Sequence, residues 1–102
     1  MYEDTKRKLE ENEGNTISIV GIISSIIWQH MLIHDDRHPE INYIDLENGF
    51  QLVVYTDKEI NCEDEIEIIG KVIKVKGSKN PRSKLSDEYC EFQLIADSWK
   101  CI

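Results

Sequence analysis

The sequence is short of most of the features that announce a function. It has two prolines and five glycines in 102 residues, with no glycine-rich run to cradle a phosphate, no nucleophile elbow and no H-E-x-x-H pair. The three cysteines, Cys62, Cys90 and Cys101, have no C-x-x-C spacing, and an odd number so placed fits neither a disulfide framework nor a zinc ribbon. Positive charge is scarce: 12 Lys and Arg stand against 20 Asp and Glu, a net charge of −8. That balance runs against the basic footprint of a duplex-binding protein, because phosphate neutralisation supplies most of the non-specific affinity. The apolar stretches are too interrupted for a membrane span, and the opening MYEDTKRKLEENEG lacks the apolar core of a secretory signal and is too acidic for a transit peptide. These absences point to an intracellular chain, cytoplasmic or nuclear, in a reducing compartment, with no membrane partner.

What is present describes one small domain with a single core. Residues 1–14 hold three basic and five acidic side chains, with Tyr2 and Leu9 the large apolar ones. They read as a solvated arm or a short frayed helix ahead of a domain over 15–102. Thr16 to Ile33 carries no formal charge and is dense in β-branched residues, which favours one long strand bent near Gly21, or two consecutive strand segments. The following HDDRHPEIN, with Asp35, Asp36, Pro39 and Asn42, is a loop.

Tyr43 to Leu46 and Phe50 to Tyr55 flank a turn signal and read as a hairpin. A two-residue Asn48-Gly49 turn would mix polar and apolar side chains on both faces. A three-residue loop, Glu47 to Gly49, pairs Leu46 with Phe50 and sorts them: Ile44, Leu46, Phe50, Leu52 and Val54 on a buried face, Tyr43, Asp45, Gln51, Val53 and Tyr55 on the other. A polar connection, 56–64, then leads into alternation from Glu65 whose phase slips near Val72, so a bulge is expected between Gly70 and Ile73. After a long loop, 77–88, a last strand runs from Tyr89 to Ala96, and Trp99 follows in a tail.

The phrases Ile19-Val20-Gly21-Ile22-Ile23, Tyr43 to Gly49 and Asp64 to Val72, in this order of strands and loops, resemble an oligonucleotide/oligosaccharide-binding (OB) barrel of the replication protein A and single-stranded-DNA-binding type. The resemblance implies an all-β, five-stranded Greek-key barrel with a flexible or short helical N-terminal arm. It also implies that a ligand lies across the outer face of strands two and three, between the loops 34–42 and 77–88. Tyr43 and Tyr55 fall on that face by the register above. Stacking of a base on such a ring is worth about 1–3 kcal/mol, and Asp45 and Gln51 would meet base edges.

Charge resolved along the chain changes the reading of the whole. Lys71, Lys74, Lys76, Lys79, Arg82 and Lys84 place six cations and no acid between residues 71 and 84, half of all the Lys and Arg. They would follow a phosphate backbone, whereas Asp35, Asp36 and Glu40 would repel one on the other flank. His30, His34 and His38 recur every four residues, but in an extended chain that spacing is about 13 Å, too far to share a metal. No metal, cofactor or catalytic residue is assigned.

The expected function is therefore a non-enzymatic OB module that binds single-stranded nucleic acid, DNA rather than RNA. Tyr43, Asp45, Gln51, Tyr55 and the six cations would form its site. The alternative is an acidic OB subunit that works by protein contact with a larger partner, like the weakly binding subunits of replication- or telomere-type complexes, with Trp99 as an interface anchor. A different small barrel, SH3-like, is the third option.

Overall fold

The computed structural model describes residues 2–46, 49–76 and 90–102, with the side chains of Tyr2 and Glu3 outside the description. A helix, α1 (Tyr2–Glu11), precedes five strands: β1 (Thr16–Ile23), β2 (Glu40–Leu46), β3 (Gln51–Thr56), β4 (Ile66–Lys76) and β5 (Cys90–Cys101). The strands form one closed sheet in the order β1-β2-β3-β5-β4, with β4 returning to pair with β1. Every neighbouring pair is antiparallel except β3 and β5, which run parallel. Among the described residues no helix is long and apolar enough to cross a membrane.

Closure depends on β1 serving two neighbours. It pairs with β4 from Thr16 to Gly21 and with β2 from Gly21 to Ile23, so Gly21 belongs to both ladders. A Cβ at Gly21 would lie 2.5 Å from Ile44 Cγ2 and 2.7 Å from the Asp45 carbonyl oxygen, which explains glycine at the shared position. The strand expected to continue toward Ile33 stops at Ile23. Residues 24–39 instead form an irregular connection to β2.

The hairpin takes the expected register. Asp45 faces Gln51 and Ile44 faces Leu52, while Leu46 N–H donates to the Phe50 carbonyl at 2.8 Å and Gly49 N–H to the Leu46 carbonyl at 3.1 Å. Glu47 and Asn48 of the turn lie outside the described residues. Ile44, Phe50, Leu52 and Val54 accordingly join Ile19, Ile66, Ile68, Val72, Phe92, Leu94 and Ala96 in the core. Leu9 of α1, 1% exposed, also joins it, so the N-terminal segment is a helix whose described side chains are mostly exposed and whose Leu9 is buried in the core. Gly14 N–H to the Val72 carbonyl (2.8 Å) and Val72 N–H to the Asn15 carbonyl (3.0 Å) tie its end to the sheet.

Two features at the other end differ from expectation. The irregularity in β4 falls between Ile69 and Gly70, and the extra residue is Asp97 on the partner strand β5. β5 does not end at Ala96: it pairs onward to Cys101, opposite Ile66. Trp99 is thus a strand residue opposite Ile68, half-buried against the core, and not part of an exposed tail. Cys101 forms a disulfide with Cys62 of the β3–β4 connection, with a Cα–Cα separation of 5.5 Å. That corrects the reading of the cysteines. Residues 39 apart in sequence become near neighbours once β5 is carried to its full length, and the cysteines no longer point to a reducing compartment. Closing a loop of this size restricts the unfolded chain by about 4 kcal/mol in the chain-entropy treatment.

The candidate binding face and the segment that covers it

The outward face of β2, β3 and β5 is polar where the inward face is apolar. Cross-strand rows place Asp45 beside Gln51, Tyr43 beside Val53, and Ile41, Tyr55, Ile95 and Lys71 side by side across four strands. Glu91 and Gln93 share the outward side of β5 with Ile95, because they alternate with the core residues Phe92 and Leu94. The sequence thus brings Tyr43, Asp45, Gln51 and Tyr55 onto one face, with Lys71 in the same row as Tyr55.

That face is not open. Gln51, Val53, Tyr55 and Gln93 are all buried although none belongs to the core cluster. The cover is the segment 24–33, held almost entirely through its main chain. Gln51 Oε1 accepts from Trp28 N–H at 2.8 Å, and Gln51 Nε2 donates to the Ile26 carbonyl at 2.7 Å. Glu91 Oε2 accepts from Met31 N–H at 3.2 Å, and Gln93 Nε2 donates to the Met31 carbonyl. Tyr55 Oη accepts from Ile33 N–H at 3.0 Å and donates to Gln93 Oε1 at 2.5 Å. Backbone groups that would find a ladder partner in a strand find side-chain amides, a carboxylate and a phenol instead. Hence an Ile-rich run need not be a strand.

The segment turns two polar side chains into the face: Ser24, whose Oγ accepts from Gln51 Nε2 at 2.9 Å, and His30. Its Nδ1 meets Glu91 Oε1, its Nε2 lies 2.8 Å from Gln51 Oε1, and its ring sits 5.7 Å from the ring of Tyr43. The orientation of the Gln51 amide is fixed by its neighbours. Nε2 faces the Ile26 carbonyl, Asp45 Oδ1 and Ser24 Oγ, and Oε1 faces the Trp28 N–H. Both ring nitrogens of His30 therefore point at acceptors. The sequence pattern puts His30 in a strand segment and assigns it no role; the polar residues Glu91 and Gln93 alternating on β5 are the signal that something polar lies over that face. Burial raises the Tyr55 phenol above its ordinary value, with the charges of Glu91 and Tyr43 adding to the effect. On the exposed turn that follows, His38 beside Asp35 holds that carboxyl below the usual range, helped by the Arg37 N–H. His34 pairs with Asp36 at 2.9 Å, and among the described residues no three His, Cys, Asp or Glu are grouped to hold a metal.

The expected site residues accordingly divide. Tyr43 and Asp45 are half-buried at the margin, and Gln51 and Tyr55 are committed to the covering segment. Lys71, Lys74 and Lys76 are exposed, but with β4 and β5 in unbroken register there, Lys71 lies on the opposite face of β4 from the other two. Lys79, Arg82 and Lys84 lie outside the described residues.

The outer surface of the cover is mostly apolar, with Ser25 and Gln29 the exposed polar residues. Ile26 is 69% exposed, Ile27 62% and Trp28 49%, with Leu32 also exposed. A pocket of about 340 Å³ under Ile26 and Trp28 shares Asp45 and Leu46 with a second of about 480 Å³ beside Val20 and Ile22, themselves exposed. A third cavity of about 160 Å³ brings Lys6, His30, Gln51, Cys90 and Glu91 together. Cys90 is an unpaired thiol, yet the His30 nitrogens it would need as a base are engaged by Glu91 and Gln51. The chain matches no protein-family model, no curated protein and no solved structure.

Proposed function

We propose that the chain is an OB-type Greek-key barrel that works as a non-enzymatic protein-contact module. The strand order, the shared first strand and the parallel β3–β5 pair support the fold reading. One observation carries the function: the face on which such a barrel takes a nucleic acid strand is filled by residues 24–33, which engage Gln51 and Tyr55 and turn Ile26, Ile27 and Trp28 to solvent. Exposed aromatic and aliphatic side chains over a polar-anchored segment suit a protein interface. The net charge of −8 favours the same reading.

Single-strand binding is the second reading, favoured by Lys71 in the row of Tyr55 and by exposed Lys74 and Lys76. Fluorescence anisotropy of the full chain with labelled oligo-dT separates the two. Protein contact predicts no binding at low salt. Binding that weakens steeply as salt rises would overturn it in favour of the second reading.

A further inference from the structure

The contacts under the covering segment are aimed at main chain. Gln51, Glu91, Gln93 and Tyr55, from β3 and β5, read the carbonyls of Ile26 and Met31 and the N–H groups of Trp28, Met31 and Ile33. Four of the segment's side chains, Ile26, Ile27, Trp28 and Leu32, are exposed and offer no polar group to the face. Two side chains are read: the Ser24 hydroxyl accepts from Gln51 Nε2 at 2.9 Å, and His30 is held on both sides. The His30 side chain, 6% exposed, lies between the Glu91 carboxylate and the Gln51 amide oxygen and beside the Tyr43 ring. Among the described residues no buried side-chain nitrogen or oxygen lacks a hydrogen-bond partner, so departure of the segment would turn the donors and acceptors of Gln51, Gln93 and Tyr55 toward water or toward another segment of like chemistry.

We propose that this face is a receptor for an extended polypeptide carrying a histidine or arginine, and that residues 24–33 occupy it in cis as an internal ligand. Its specificity has two parts. Spaced main-chain groups are recognised whatever their side chains, and one planar N–H donor side chain is selected by two acceptors on opposite sides, Glu91 and Gln51. A partner segment of this kind would exchange with residues 24–33 and lift the apolar strip of Ile26, Ile27 and Trp28 from its present position. This rests on the protein-contact reading but concerns a different event, since nucleic acid plays no part in it.

The test uses the full chain and a fluorescent peptide of residues 24–33 with lysines added at both ends for solubility. Wild-type protein, its face occupied in cis, binds weakly. His30→Ala, which removes the selected side chain, and Trp28→Pro, which removes the Trp28 N–H but no sheet residue, loosen the cover and bind the peptide about 10- to 100-fold more tightly. A peptide with alanine at the histidine position loses that gain, arginine there restores it, and a scrambled peptide with the same lysines does not bind. Variants that bind no better than wild type, or an alanine peptide as good as the parent, would overturn the proposal. Should both variants fail to fold, NMR on the wild-type chain decides: nuclear Overhauser contacts from the Gln51 and Gln93 side-chain amides to the backbone of residues 26–31 support it, and their absence refutes it. Oligo-dT binding with intact peptide binding would sink the protein-contact reading alone, and the reverse would sink the receptor alone.

Discussion

Residues 16–23 and 24–33 are two halves of one uncharged, isoleucine-rich run, and they adopt different structures. The first half lies between β4 and β2 and completes their ladders. The second meets the outward side of β3 and β5, where no strand edge is offered but Gln51, Glu91, Gln93 and Tyr55 present donors and acceptors. Composition is shared; the partner decides. A β-branched run becomes a strand only where another backbone is available to it, and a run that meets polar side chains can lie across a sheet as an irregular cover.

The comparison breaks most severely at the residue both ladders share with it. Gly21→Val would drive a side chain into Ile44 and the Asp45 carbonyl, and a loss of about 3 kcal/mol in denaturant unfolding is expected. Next, Gln51→Ala removes contacts to Trp28, Ile26 and His30 while leaving the core untouched. Stability should fall by about 1–3 kcal/mol, with proteolysis in 24–33 rising more than elsewhere. Tyr55→Phe, which deprives Ile33 N–H and Gln93 of a partner, should cost about 1–2 kcal/mol. The same residue gives a pH signature. Its phenol is raised above 10.0 in the folded chain, so its stabilisation is complete below that value and is lost as pH rises past it. Alkaline melts should show this decline in the wild type and not in Tyr55→Phe. The smallest effect is expected at Ile27→Ser, on the exposed side of the cover: within about 0.5 kcal/mol of wild type, where an equivalent change at Ile19 in the core would be costly.

The hairpin was legible in the sequence because alternation has period two and only one loop length sorts Ile44, Leu52 and Val54 from Tyr43, Gln51 and Tyr55. Gly21 was legible as a break in the apolar run, and it is the residue that both ladders share. Three things were not, and each depends on contacts distant in sequence. Whether Tyr55 faces solvent depends on residues 24–33, and local alternation distinguishes inward from outward but not outward from exposed. Whether Trp99 continues a strand depends on β4 being long enough to pair with it. Whether Cys62 meets Cys101 follows from that same extension. The charge pattern was a sound reading of sequence, yet alternation along β4 divides Lys71 from Lys74 and Lys76, so a cluster in sequence is not a stripe in space.

The central claim is that residues 24–33 are held on the sheet through their main chain. Amide hydrogen exchange of the wild-type protein at Trp28, Met31 and Ile33 tests it most directly. The three N–H groups donate to Gln51, Glu91 and Tyr55, so they should exchange at least about tenfold more slowly than in a free peptide of the same sequence. Exchange at the free-peptide rate at all three would mean that the face is open in solution, and would contradict the account.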